Sequence, residues 1–127
     1  MYRALAGFVS LVIMASGCFL APEGDCTTIL IPSIVAEVSD SVLGTPLAVG
    51  TVMYLREGTF IDSTRRQDPS PGIPALELPW LRERAGVYSV SVLRDGYRSW
   101  LRSGVRVHMD GSCHVRTTRL SVRLVSQ

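Results

Sequence analysis

Two histidines and three cysteines are the side chains in this sequence best suited to nucleophilic, acid–base or metal chemistry. His108 and His114 flank Asp110-Gly111-Ser112. A hairpin looping through those three residues pairs Met109 with Cys113 and Val107 with Val115, apolar against apolar. On its other face it sets His108 opposite His114 and Arg106 opposite Arg116. Such a histidine pair could hold a metal ion. Asp110 alone offers a third ligand, however, and Arg106 and Arg116 repel a cation. These residues therefore predict a solvated basic face, with no metal and no cofactor. No serine occupies a nucleophile elbow, so catalysis is not expected.

Aromatic and basic side chains point to binding instead. Trp80, Tyr97 and Trp100 could stack on sugars, with Arg98 and Arg102 hydrogen-bonding to hydroxyl or acid groups. Packing in the core and at its rim is the simpler role for the same rings. All 13 basic residues are arginine. From Ala21 to Leu93 there are five Arg and nine acids; from Arg94 to Gln127 there are seven Arg and two acids. The expected arrangement pairs the late arginines with the acidic first half across a sheet. An anionic partner, such as headgroups or acidic glycan, is the sharper alternative.

The elements that position these residues begin after a leader. The chain has 127 residues, enough for one domain. Met1-Tyr2-Arg3 is followed by an uncharged apolar run of 11 residues from Ala4 to Met14. A membrane-spanning helix needs about 20 residues, so the run reads as the helix of a secretory signal peptide. Ala15-Ser16-Gly17-Cys18 resembles the lipobox of bacterial lipoproteins. That resemblance implies removal of residues 1–17, acylation of the Cys18 thiol, and a tether over 18–26. It also leaves the outer membrane as an open destination, since Phe19 rather than Asp follows the cysteine. Export puts Cys26 and Cys113 in an oxidising compartment, where two thiols tend to close. Their wide separation, without a CxxC, matches no zinc spacing.

Beyond Gly17 the apolar residues recur with period two. The pattern predicts strands at 33–39, 47–56, 59–64, 75–81, 87–94, 97–101, 104–109 and 113–124. Short strands between Gly, Pro and Asp turns give an all-β, antiparallel Greek-key sandwich of about seven to eight strands, Ig-like in architecture. Arg65 to Pro74, with three prolines, is expected to be a mobile surface loop. Cys113 and Val115 are odd-numbered, but Leu120, Val122 and Leu124 are even. One strand cannot keep both sets on one face, so a bulge or a change of sheet is predicted near Thr117-Thr118.

Val35-Ala36-Glu37-Val38-Ser39-Asp40, with Gly44-Thr45-Pro46-Leu47-Ala48, resembles the first hairpin of the carboxypeptidase regulatory-like domain. Gly86-Val87-Tyr88-Ser89-Val90-Ser91-Val92, then Asp95-Gly96-Tyr97, is similar to its second signature. The resemblance implies a transthyretin-like (prealbumin-like) sandwich over 27–127, with adhesion, stabilisation or carrier roles. In it, Gly86 and Gly96 sit where a tight turn can need positive φ. Tyr88 brings a hydroxyl that must find a partner, and Tyr97 covers one end of the sandwich. Transthyretin-like hydrolases end in Tyr-Arg-Gly-Ser; this chain ends Leu124-Val125-Ser126-Gln127.

The reading is thus a non-catalytic, lipid-anchored, extracytoplasmic module, held at a bacterial membrane and serving interaction or structure. Its candidate partner is an envelope protein or glycan, and nucleic acid is not expected. A glycan-binding module built on Trp80, Tyr97 and Trp100 is the alternative; a small-molecule hydrolase ranks third.

Overall fold

A computed structural model describes residues 26–127. The leader over 1–17, Cys18 and most of the tether lie outside the described residues. The strands are β1 (Ile34–Asp40), β2 (Thr51–Glu57), β3 (Phe60–Arg66), β4 (Glu77–Trp80), β5 (Gly86–Leu93), β6 (Trp100–Asp110), β7 (His114–Arg116) and β8 (Thr118–Leu124). They form a three-stranded sheet, β4-β1-β8, packed against a five-stranded sheet, β3-β2-β5-β6-β7. No helix occurs among the described residues. The all-β sandwich follows from the period-two pattern. Ile34, Ala36 and Val38 face Met53, Leu55, Val90 and Val92 across the core, while Tyr54 and Ser91, between core positions of β2 and β5, turn outward.

One pair departs from the antiparallel expectation: β8 runs parallel to β1, Ile34 beside Thr118 and Asp40 beside Leu124. Both strands start at the same end. The Thr118 N–H donates to the Ser33 carbonyl at 2.9 Å, and the Thr117 hydroxyl donates to the Pro32 carbonyl at 2.7 Å. Thr117 is also where the chain leaves the five-stranded sheet for the other. The phase change expected at Thr117-Thr118 is therefore a change of sheet.

Two further expectations are corrected. The segments 97–101 and 104–109 belong largely to one strand, β6. Tyr88 pairs with Val105 but Val90 pairs with Arg102, so one extra residue sits on β6 beside Gly104, whose φ is +70°. Gly104, expected as the first residue of a separate strand, sits instead at a bulge inside β6 that lets Trp100 and Val107 both face inward. In the last hairpin Met109 pairs with Val115, His108 with Arg116, and Asp110 with His114. The expected register is off by two residues. A slip of two leaves every side chain on its own face, so apolar matching could not distinguish the two registers. The observed one takes Cys113 out of the ladder and into the turn, where it meets Cys26.

The segment 65–74 is not loose at its base. Arg66 closes β3 and is only 7% exposed. Its Nη1 donates to the carbonyls of Pro74 (2.6 Å) and Glu77 (3.0 Å), and its Nη2 to that of Ile73 (3.1 Å). Among the described residues no carboxylate pairs with this guanidinium, and its Nε is buried without a partner. Three main-chain oxygens hold the charge in place of an acid. Arg66→Ala removes all three bonds, although the Pro74 carbonyl keeps the Glu77 N–H, and costs roughly 2–4 kcal/mol. Limited proteolysis should then cut within 67–73 much faster than in the parent; equal cutting rates would contradict the clamp.

Candidate functional site

The two cysteines build a junction at one end of the sandwich. Cys26 and Cys113 form a disulfide with Cα atoms 5.4 Å apart and a sequence separation of 87. The bond necessarily brings their neighbours together. The Thr27 hydroxyl lies 2.9 Å from His114 Nε2, and His114 Nδ1 lies 2.8 Å from Glu83 Oε2. Glu83 Oε1 accepts the Ile31 N–H at 2.7 Å. Ser33 completes the junction: its hydroxyl donates to the Arg82 carbonyl and accepts the Arg84 N–H at 3.2 Å. The segment entering the domain is thus fastened to the β4–β5 connection and to β7 before β1 begins.

Thr27, His114 and Glu83 line up as hydroxyl, imidazole and carboxylate, the order that activates a nucleophile in hydrolases. A neutral ring serving both neighbours carries its proton on Nδ1, donates it to Glu83 and accepts from Thr27. Here the line also has a plain mechanical product, because each of its bonds ties the segment 26–31 to the body of the sandwich. Glu83 is held below the usual carboxylate range, first by the Ile31 N–H and then by His114. Sequence reasoning missed Thr27 and Glu83. Thr27 was legible in principle, since residues following two bonded cysteines must lie close. Glu83 carried no signal, because its approach depends on how β4 leaves its sheet.

The histidines do not face each other. His108 is exposed opposite Arg116, and His114 is half-buried opposite Asp110. Among the described residues no three His, Cys, Asp or Glu side chains group as metal ligands.

The aromatic candidates are also separated. Trp80, 2% exposed, is a core residue of β4; its ring centroid lies 5.3 Å from that of Tyr88 and 6.3 Å from that of Phe60. Its indole Nε1 donates to Asp62 Oδ2 at 3.0 Å. Trp80 thus offers no face to a ligand, which corrects its place in a sugar platform. Trp100 lies in the other sheet, partly buried against the core. Tyr97 covers one end of the sandwich and donates its hydroxyl to Asp40 Oδ2 at 3.0 Å. Arg98 and Arg102 are exposed and make no ion pair among the described residues.

Both signature glycines matter, for different reasons. Gly96 has φ +81°, as a tight turn requires. Gly86 does not lie in the left-handed region; a side chain there would collide with the Glu57 carboxylate. That carboxylate is fixed by the Val87 N–H at 2.7 Å and by Arg84 at 2.9 Å. Tyr88 finds its partners in the same place, donating to the Arg84 carbonyl and accepting from Arg84 Nη1, each at 2.9 Å.

The late arginines only partly follow the cross-sheet expectation. Arg119 bridges Glu37 (3.1 Å) and Glu77 (2.8 Å), and Arg116 reaches Asp110 at 3.4 Å. Arg94 instead donates to the carbonyls of Leu47 and Val49, and Arg123 to that of Ser41. Arg82 and Arg84 occupy Asp62 and Glu57.

Four carboxylates share one sign of shift. Asp40 is lowered by the N–H groups of Leu43 and Val42, Glu57 by that of Val87, Asp62 by the Trp80 indole, and Glu83 by that of Ile31. A carboxylate lowered on folding stabilises the domain above its unfolded pKa, near 4, and loses that contribution as pH falls through the lower folded value. The urea midpoint should be flat from pH 7 to about 5 and drop steadily below about 4.5. A midpoint unchanged to pH 3 would contradict these contacts.

The closed disulfide indicates an oxidising, extracytoplasmic environment. Comparison with known proteins finds no matching family model and no matching curated relative.

Proposed function

We propose that this protein is a non-catalytic, lipid-anchored interaction module of a bacterial envelope, with the sandwich displayed close to the membrane surface. The observation that carries this reading is the junction at Cys26. Cys18 precedes it by eight residues, a reach of at most about 27 Å when fully extended. An acyl group on Cys18 would therefore hold the Cys113 end of the sandwich near the headgroups. Without the disulfide and the Thr27–His114–Glu83 line, the first fixed point would move on towards β1 and the leash would lengthen. The carboxypeptidase regulatory-like resemblance of 27–127 supports an adhesive or stabilising role. So does the content of its signatures, which here build turns and a tyrosine cap.

Metabolic labelling with palmitate tests the anchor. The parent should incorporate label and partition with membranes, and Cys18→Ser should do neither. A mature protein that carries no label would remove the anchor from the account.

A further inference from the structure

We infer that the outer face of the five-stranded sheet binds an acidic polysaccharide, an extended chain of carboxylate-bearing sugars. This deepens the reading of an interaction module and does not need the acyl group.

Register assigns the face. Ser63, Tyr54 and Ser91 lie in one cross-strand row, which continues from Ser91 to Leu101 on β6. Ile61, Arg56 and Ser89 form the next row, and Arg65, Val52 and Leu93 flank the first on its other side. Arg106, paired with Val87, lies beyond. Tyr54 stands near the centre, 42% exposed. Two shallow grooves meet at Tyr54 and Leu93. One, of about 510 Å³, runs over Arg56, Ser89, Ser91 and Ser103; the other, of about 480 Å³, runs past Arg65, Gln67 and Ser99. Together they make one furrow across the strands, a shape suited to a polymer rather than a small molecule.

Charge selects the occupant. Arg56, Arg65 and Arg106 are exposed and form no ion pair among the described residues. β2, β3 and β5 place no Asp or Glu on this face. The carboxylates near it lie at its two ends: Asp95 on the rim beside Arg65, and Asp110, which is engaged by Arg116. Strand spacing and rise put the three arginines on a diagonal, with steps of about 14 and 12 Å. A second copy would bring arginine against arginine, and a cation would be repelled. Ser89, Ser91 and Ser103 along the floor can bond sugar hydroxyls, while Tyr54, with exposed Ile61, Leu93 and Leu101 beside it, offers apolar surface on which pyranose faces stack.

The test is affinity electrophoresis of the full chain through polygalacturonate, beside its methyl-esterified form and beside vesicles of anionic phospholipid. Retention by polygalacturonate should weaken with salt over about 50–300 mM, as the Debye length shrinks, and the neutral ester should not retain the protein. Arg56→Gln with Arg65→Gln should lower affinity about tenfold or more, and Tyr54→Ala should do the same. These side chains are exposed, so the melting temperature should not change; should the double variant misfold, Arg106→Gln reads the same face. Arg56→Lys with Arg65→Lys should retain most binding. Absent retention, or retention equal in parent and variants, overturns the proposal. Vesicle binding that uses the same arginines while polygalacturonate is not bound overturns it in favour of a membrane surface.

Discussion

Opening the Cys26–Cys113 bond should lower the melting temperature by roughly 20 °C. The chain-entropy model gives about 4–5 kcal/mol for a loop of this length. Each kcal/mol moves the midpoint of a domain of about 100 residues by roughly 4–8 °C. The separation of 87 spans nearly the whole described domain, from the first residue of the junction to the turn after β6. Reduction also loosens Thr27 from His114, because the bond is what brings residues 27 and 114 together. Cys26→Ser with Cys113→Ser should therefore behave like the reduced parent in calorimetry. A melt unmoved by reductant would mean that the bond adds nothing to the fold.

Trp80→Ala should cost about 4 kcal/mol or more, enough to leave much of the population unfolded near 37 °C. The indole fills the core between Phe60 and Tyr88, and its N–H satisfies Asp62. Removing it opens a cavity and takes away the largest single cause of the lowered Asp62 pKa. Denaturation in urea reads the loss directly. Trp100→Ala, at a partly buried position of the other sheet, should cost clearly less. Equal costs at the two positions would place the tryptophans in the same role and undo the assignment of Trp80 to the core.

These contrasts mark what the amino-acid order discloses. Alternation in 34–40 and 87–92 announced strands, since a half-buried ribbon must show apolar and polar faces in turn. The odd-to-even change after Val115 announced a break in the pleat, which a bulge or a switch of sheets could equally supply. Gly104 was opaque: a glycine in left-handed conformation serves a bulge and a turn equally well. The register at Asp110 was opaque because a slip of two preserves the faces. Arg66 looked like the start of a flexible loop, although its guanidinium holds that loop shut by bonding to carbonyls that no local pattern reveals. The basic face assembled from Arg56, Arg65 and Arg106 draws on three strands, so a count of charge along the chain dispersed it between the acidic and basic thirds.

One sulfur for lipid and two for a bond can be read in a single measurement. Intact-mass spectrometry of the protein taken from its native envelope, without reductant and after alkylation, should show a chain that begins at Cys18 and carries acyl groups. It should take up no alkylating agent until it is reduced, and two equivalents afterwards, one each on Cys26 and Cys113. A chain that still begins at Met1, with all three thiols alkylated before reduction, would contradict that division of the sulfurs.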